Sequence, residues 1–236
     1  MLRWLILSLF LASQVAAAFV SKNSLQAIAP SIKHTIESEK EQSNALLAQL
    51  VNINSQTENI AGVRQVGDIL AAQLRELGFT TYWEKLPADM KRAGNLFAVH
   101  PGQGGKRLLL IGHLDTVFPG DPAHPFKRLP DERAFGIGSA DMKGGDVTII
   151  QALRALHANH LLSNASIVVA FIGDEESAGR PISISRRELM KHAKQSDVLL
   201  DFESGPVSLG RRGISKWALT TRGTQQHSSI IFQPEV

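Results

Sequence analysis

Three consecutive carboxylates, Asp174-Glu175-Glu176, follow directly on the apolar run Ile167 to Ile172 and Gly173. The run is short and β-branched, as a buried strand of an α/β sheet is, and ligands of such sheets sit beyond the carboxyl ends of the strands. Crowded carboxylates repel one another, so holding them at one site favours a cation there. The helix dipole also favours acidic residues at a helix N-terminus, a reading that needs no ligand.

Three further segments carry side chains of the same chemistry. Leu108 to Ile111 runs into Gly112-His113-Leu114-Asp115. In extended chain His113 and Asp115 point to the same side, the arrangement of a metal-binding imidazole and the carboxylate that holds it. Gly136 to Gly145 sets Asp141 among glycines just before a helix, where capping is the alternative role. Asp201-Phe202-Glu203 ends another apolar run, and its alternative is a solvated strand end.

The elements that must position these groups alternate between strand and helix. Ser21 to Glu41 is polar and reads as a loose lead-in, with a helix starting near Glu39. Asn59 caps a second helix in which Val63, Val66, Leu70 and Leu74 recur at helical spacing, and Gly78 stops it. Extended segments follow at Thr80 to Leu86 and Asn95 to His100. The glycine-rich turn after Pro101 is expected to fold Asn95–His100 against Arg107–Gly112 as a hairpin. Pro119 to Phe135 reads as a surface loop, Lys143 to His160 and Ser185 to Lys194 as helices, and Val198 to Phe202 as a strand. From Gly213 an alternating pattern marks the start of a new unit.

Composition bounds the chemistry. The chain has 236 residues, 43% of them hydrophobic and 20% charged, which is ordinary globular composition. A net charge of +3 from scattered basic residues does not indicate nucleic acid or an anionic membrane surface. With no cysteine, thiolate chemistry and thiolate metal sites are excluded, so any metal must be held by oxygen and imidazole. Arg3, the apolar stretch Trp4 to Leu11 and Ala16-Ala17-Ala18 have the form of a cleavable signal peptide over residues 1–18. The stretch is short of the roughly 20 residues a membrane span needs. The mature protein is therefore expected to be secreted or periplasmic, with no membrane attachment.

GHLDTV, GSADMKGG, GDEES and DFE, in that order from Gly112 to Glu203, resemble the motifs of the two-zinc peptidases and deacylases. That family includes carboxypeptidase G, acetylornithine deacetylase, succinyl-diaminopimelate desuccinylase and aminoacylase. The resemblance implies a three-layer α/β zinc-peptidase catalytic domain over residues 19–212. It also implies an inserted α+β lid or dimerisation domain beginning at residue 213. By the same resemblance His113 binds one zinc, Asp141 bridges two, Glu176 binds the second, and Glu203 completes the His113 zinc, with Asp201 as the alternative. Asp115 orients His113, Glu175 is the general base and acid, and His227 reaches a substrate carbonyl, often across a homodimer. A cis peptide after Asp141 belongs to the same pattern.

Such a site suits zinc, with manganese or cobalt as replacements. Two ions sharing Asp141 would lower the pKa of a water from about 15.7 towards roughly 7. The expected activity is hydrolysis of an amide in a peptide or N-acyl amino acid. Family members are longer and supply a last histidine to the Glu176 zinc, which this chain does not. The chain is thus expected to be an N-terminal fragment of a secreted hydrolase, or else an exported non-catalytic binding domain of the same fold.

Overall fold

The structure is a computed structural model, in which residues 22–203 and 217–220 are described. The chain divides into two compact units, one up to Ser204 and one from Gly205 onward. The signal-like residues 1–18, the expected boundary at 212/213 and His227 lie outside the described residues. Among the described residues no helix is long and apolar enough to cross a membrane.

Two helices open the described chain, α1 (Lys22–Ser38) and α2 (Lys40–Val51). The first corrects the expected loose lead-in: the segment is helical through Pro30. It reads as polar because it lies on the outside and is held by polar contacts, Gln151 donating to the Ile36 carbonyl and Asn159 to the Thr35 hydroxyl. Helix α3 (Ile60–Glu76) starts where the Asn59 side chain accepts the Gly62 amide, and Gly78 turns the chain out of it at φ +88°.

Strand β1 (Thr80–Glu84) leads to β2 (Asn95–His100) and β3 (Gly104–His113). A loop with two short strands, β4 (Lys127–Arg128) and β5 (Ala134–Phe135), precedes a π-type turn at Ser139–Lys143 and helix α4 (Gly144–Ala158). Strand β6 (Ala165–Ile172), helices α5 (Ile182–Ser185) and α6 (Arg187–Gln195), and strand β7 (Val198–Asp201) complete the unit.

The five-stranded sheet has the order β1-β2-β6-β3-β7. Strands β1, β2 and β6 pair antiparallel, whereas β6, β3 and β7 run parallel. The expected hairpin of β2 with β3 is therefore absent, because β6 lies between them. The glycine-rich connection crosses the start of β6 closely: a Cβ on Gly102 would fall 2.3 Å from the Ser166 amide nitrogen. That leaves a backbone approach only glycine allows.

Helices cover both faces. On one, Leu50, Val66, Leu70, Leu74 and Ile150 meet Leu96, Leu110, Val169 and Phe171. On the other, Phe97, Leu109 and Ala170 lie beneath Leu189 and Ala193 of α6. Adjacent residues of β6 thus serve opposite layers, which is why its run has no polar alternation. The result is the expected three-layer α/β unit.

Candidate active site

Parallel β3 and β6 end side by side, His113 pairing with Ile172, and their chemistry leaves the sheet at one edge. His113 is 2% exposed. Its Nδ1 lies 3.1 Å from the Asp115 carbonyl oxygen, and its Nε2 lies 2.9 Å from Asp141 Oδ1. Both neighbours are acceptors, so the metal-free ring carries two protons. Burial opposes that charge, but the hydrogen bond and charge of the Asp115 side chain, with the charge of Glu175 adding to them, outweigh it, lifting the imidazole pKa to about 10. The Nε2 proton occupies the position that a metal ion takes on a neutral imidazole.

Asp115 is fully buried and has a full set of donors. Thr57 Oγ1 donates to Oδ2 at 2.7 Å, the Glu175 amide to Oδ1 at 3.0 Å and the Glu176 amide to Oδ2 at 3.1 Å. Burial raises its pKa, yet His113 and Thr57 hold the carboxyl below its usual value. The residue whose carbonyl meets His113 thus also holds the acidic turn through its side chain. Thr57 carries no motif, and nothing in its sequence neighbourhood flags it.

Asp141 sits in the π-type turn with non-helical angles, φ −123° and ψ 96°, and the Asp141–Met142 peptide is cis, as the resemblance implies. Gly138, at φ +74°, opens this turn, and its carbonyl accepts the Lys143 amide at 2.9 Å. Lys143 then runs inward, 1% exposed, and Nζ donates to the carbonyls of Leu50 and Ile53 at 2.9 and 3.0 Å. Asp141 is therefore no simple helix cap. A buried lysine stem behind it joins its turn to the end of α2.

Ligand atoms of His113, Asp141 and Glu176 all lie within 4.8 Å of one another. Partial burial and the Asp141 charge push the Glu176 carboxyl up to about 7, against the pull of His113. Among the described residues this is the one cluster of imidazole and carboxylates that could hold a metal ion. An imidazole and crowded carboxylates, one of them with its ionisation suppressed by its neighbours, fit a divalent cation well.

Glu175 is exposed, and partial desolvation followed by the charges of Glu203, Asp115 and Asp141 raises its carboxyl pKa, with His113 opposing. Glu203 lies outside the cluster of three, although its charge reaches Glu175. The chain is drawn towards the site at Phe202, whose amide donates to the Ile111 carbonyl at 3.2 Å. Asp201 pairs in register with Ile111, and its Oδ1 accepts the Glu203 amide at 3.1 Å. The first carboxylate of the triplet turns away from the site: Asp174 is buried against Arg186 and accepts the Gly179 amide at 2.7 Å.

One buried carboxyl has no partner. Asp146, in the first turn of α4, is fully buried with neither oxygen hydrogen-bonded, and desolvation holds its pKa well above the carboxylate range. It packs against the strand below His113, where a Cβ on Gly112 would fall 2.2 Å from its Oδ1. Its position inside the GSADMKGGD stretch was visible in the sequence, but its burial was not.

Comparison with known proteins bears on the family and the fold. The profile of peptidase family M20/M25/M40 matches residues 109–215. Carboxypeptidase G2 of Pseudomonas sp. (strain RS-16) is 34% identical over 189 residues, covering 77% of this chain and 44% of that protein. Succinyl-diaminopimelate desuccinylase of Methylocella silvestris is 32% identical over 180 residues, covering 68% and 45%. The chain spans about half or less of the length of these curated relatives. Among solved structures, human carnosine dipeptidase 1 superposes with a TM-score of 0.60 at 18% identity, over 73% of this chain and 40% of that one. An M20 family metallo-carboxypeptidase from Sulfolobus solfataricus superposes at 0.55 with 20% identity, over 69% and 37%. At these identities the structures show a shared fold, and the sequence relatives carry the family assignment. The chain carries a domain of the M20 peptidase family.

Proposed function

We propose that the protein is a metal-dependent hydrolase of amide bonds acting on a peptide or an N-acyl amino acid. The observation that carries this reading is the convergence of His113, Asp141 and Glu176 within 4.8 Å, beside an uncommitted Glu175. Zinc is the metal these donors favour: His113, Asp141 and Glu176 would hold it, Asp141 being shared if two ions bind, and Glu203 would serve as a further ligand beside His113. A bound ion would supply Lewis acidity, polarising the amide carbonyl and acidifying water.

The chain's own residues perform the remaining work. His113, fixed through Nδ1 to the Asp115 carbonyl, presents Nε2 to the cluster. Glu175 is one residue from Glu176, and its backbone amide is pinned by Asp115 while its carboxyl stays free. With its pKa raised, that carboxyl accepts a proton from the attacking water and returns it to the departing amine. His227 is assigned, on the family resemblance, to the substrate carbonyl, in a homodimer formed through the lid domain expected from residue 213. Residues 1–18 are assigned to a signal for export.

The deciding experiment is zinc content and turnover of the purified chain on N-acyl amino acids and dipeptides, beside Glu175→Gln and Glu176→Ala. The reading expects Glu175→Gln to keep its zinc and lose at least a hundredfold in turnover. Glu176→Ala should lose zinc as well. A wild-type chain that takes up no zinc would sink the proposal.

A further inference from the structure

A cavity of about 250 Å³ opens beside Asp141 and Glu176, and its wall includes Thr116, Val117, Phe118 and Ile137. Val117 and Phe118 are 51% and 66% exposed, an apolar pair facing solvent at the mouth of an otherwise polar site. Adjacent exposed apolar side chains at a concave, chemically equipped position mark a place where another apolar group is received. The wall is also held in shape. Thr116 Oγ1 donates to the Phe118 carbonyl at 2.9 Å, fixing the turn that presents the pair. Opposite, a Cβ on Gly138 would lie 2.4 Å from Thr116 Cγ2, and one on Gly136 would lie 2.4 Å from Val51 Cγ1, so both glycines are closely backed.

Among the described residues lining this cavity, Val117, Phe118 and Ile137 are the large apolar side chains, and the charged groups are the carboxylates Asp141 and Glu176. An aliphatic or aromatic group would cover Val117, Phe118 and Ile137 and displace water from them.

We infer that Val117, Phe118 and Ile137 form the subsite for an apolar acyl group, aliphatic or aromatic, attached to the carbonyl that is hydrolysed at Asp141 and Glu176. This rests on the amide-hydrolase reading and narrows it: the preferred substrates carry an apolar acyl part.

The test uses the full chain loaded with zinc and three hydroxamates, titrated by calorimetry: acetohydroxamate, phenylacetohydroxamate and the monohydroxamate of succinate. The phenylacetyl compound should bind roughly tenfold or more tightly than the acetyl one, and more tightly than the succinyl one. Phe118→Ser and Val117→Ser, each at unchanged zinc content, should remove most of the phenylacetyl advantage and leave acetohydroxamate binding as it was. Equal affinities for the three, or a preference that survives both substitutions, overturns the subsite and leaves the hydrolase standing. Failure to hold zinc or to bind acetohydroxamate overturns both.

Discussion

Asp115 and Glu176 are joined across two strands: the carboxylate of the first accepts the backbone amide of the second at 3.1 Å, while its other oxygen accepts the amide of Glu175. The residue that backs the imidazole thus also sets where the acidic turn stands. Asp115→Ala is expected to lower zinc affinity by about ten- to a hundredfold, as loss of a group behind a metal ligand does. Thr57→Val should have a smaller effect in the same direction, since one of three donors is lost. Zinc titration against a competing chelator measures both.

Metal binding must displace protons. In the metal-free chain His113 has its pKa lifted to about 10 and Glu176 to about 7, so at neutral pH the imidazole is protonated and Glu176 is partly so. Zinc uptake should release between one and two protons at pH 7, and affinity should fall steadily as pH drops from 8 to 6. Calorimetry in two buffers of different ionisation enthalpy gives the proton count. The linkage to folding has a definite sign: protonated His113 stabilises the metal-free fold fully below about 6.5, and this stability is lost as pH rises towards 10.

Lys143 is the buried pin of the Asp141 turn, with Nζ on the carbonyls of Leu50 and Ile53. Burial lowers its pKa to about 8, against the pull of Asp146. Lys143→Met fills the space but leaves both carbonyls without this donor, so a loss of about 2 kcal/mol is expected. Denaturant unfolding of the metal-free protein measures it, and an unchanged midpoint would contradict the role.

Asp146 should behave in the opposite way. Its carboxyl is buried without a hydrogen-bond partner and its pKa is raised, so the folded state retains a proton that the unfolded chain gives up above about 4. Stability is therefore lost as pH rises from that value through the folded one. Asp146→Asn removes this dependence, and the metal-free variant should exceed the parent in Tm by a margin that grows from pH 5 to pH 8.

Local signals carried much of this to the reader of the sequence alone. The Asn59 cap, the helical spacing of Val63 to Leu74, and the apolar run ending at Gly173 each specify their element without help from elsewhere. His113, Asp141 and Glu176 were identifiable because each stands at the end of such an element in an ordered set of motifs. The pairing of β2 was misread because proximity in sequence favours a hairpin, whereas β6, from far along the chain, supplies a better apolar edge to both β2 and β3. Helix α1 is hard to read from the sequence because most of its residues are polar and a proline stands inside it. Thr57, Lys143 and Asp146 act through burial, a property that only the assembled layers create.

The position of β6 also orders events during synthesis. Strands β2 and β3 emerge from the ribosome first, yet neither touches the other in the finished sheet, and both wait for residues 165–172. Asp115 likewise waits for the amides of Glu175 and Glu176, some 60 residues downstream. Pairings so distant along the chain close slowly, because the intervening segment must first give up its conformational freedom. A nascent chain that has not yet released β6 therefore holds Asp115 without the amides of Glu175 and Glu176, and the cluster of His113, Asp141 and Glu176 can close only once the acidic turn has emerged.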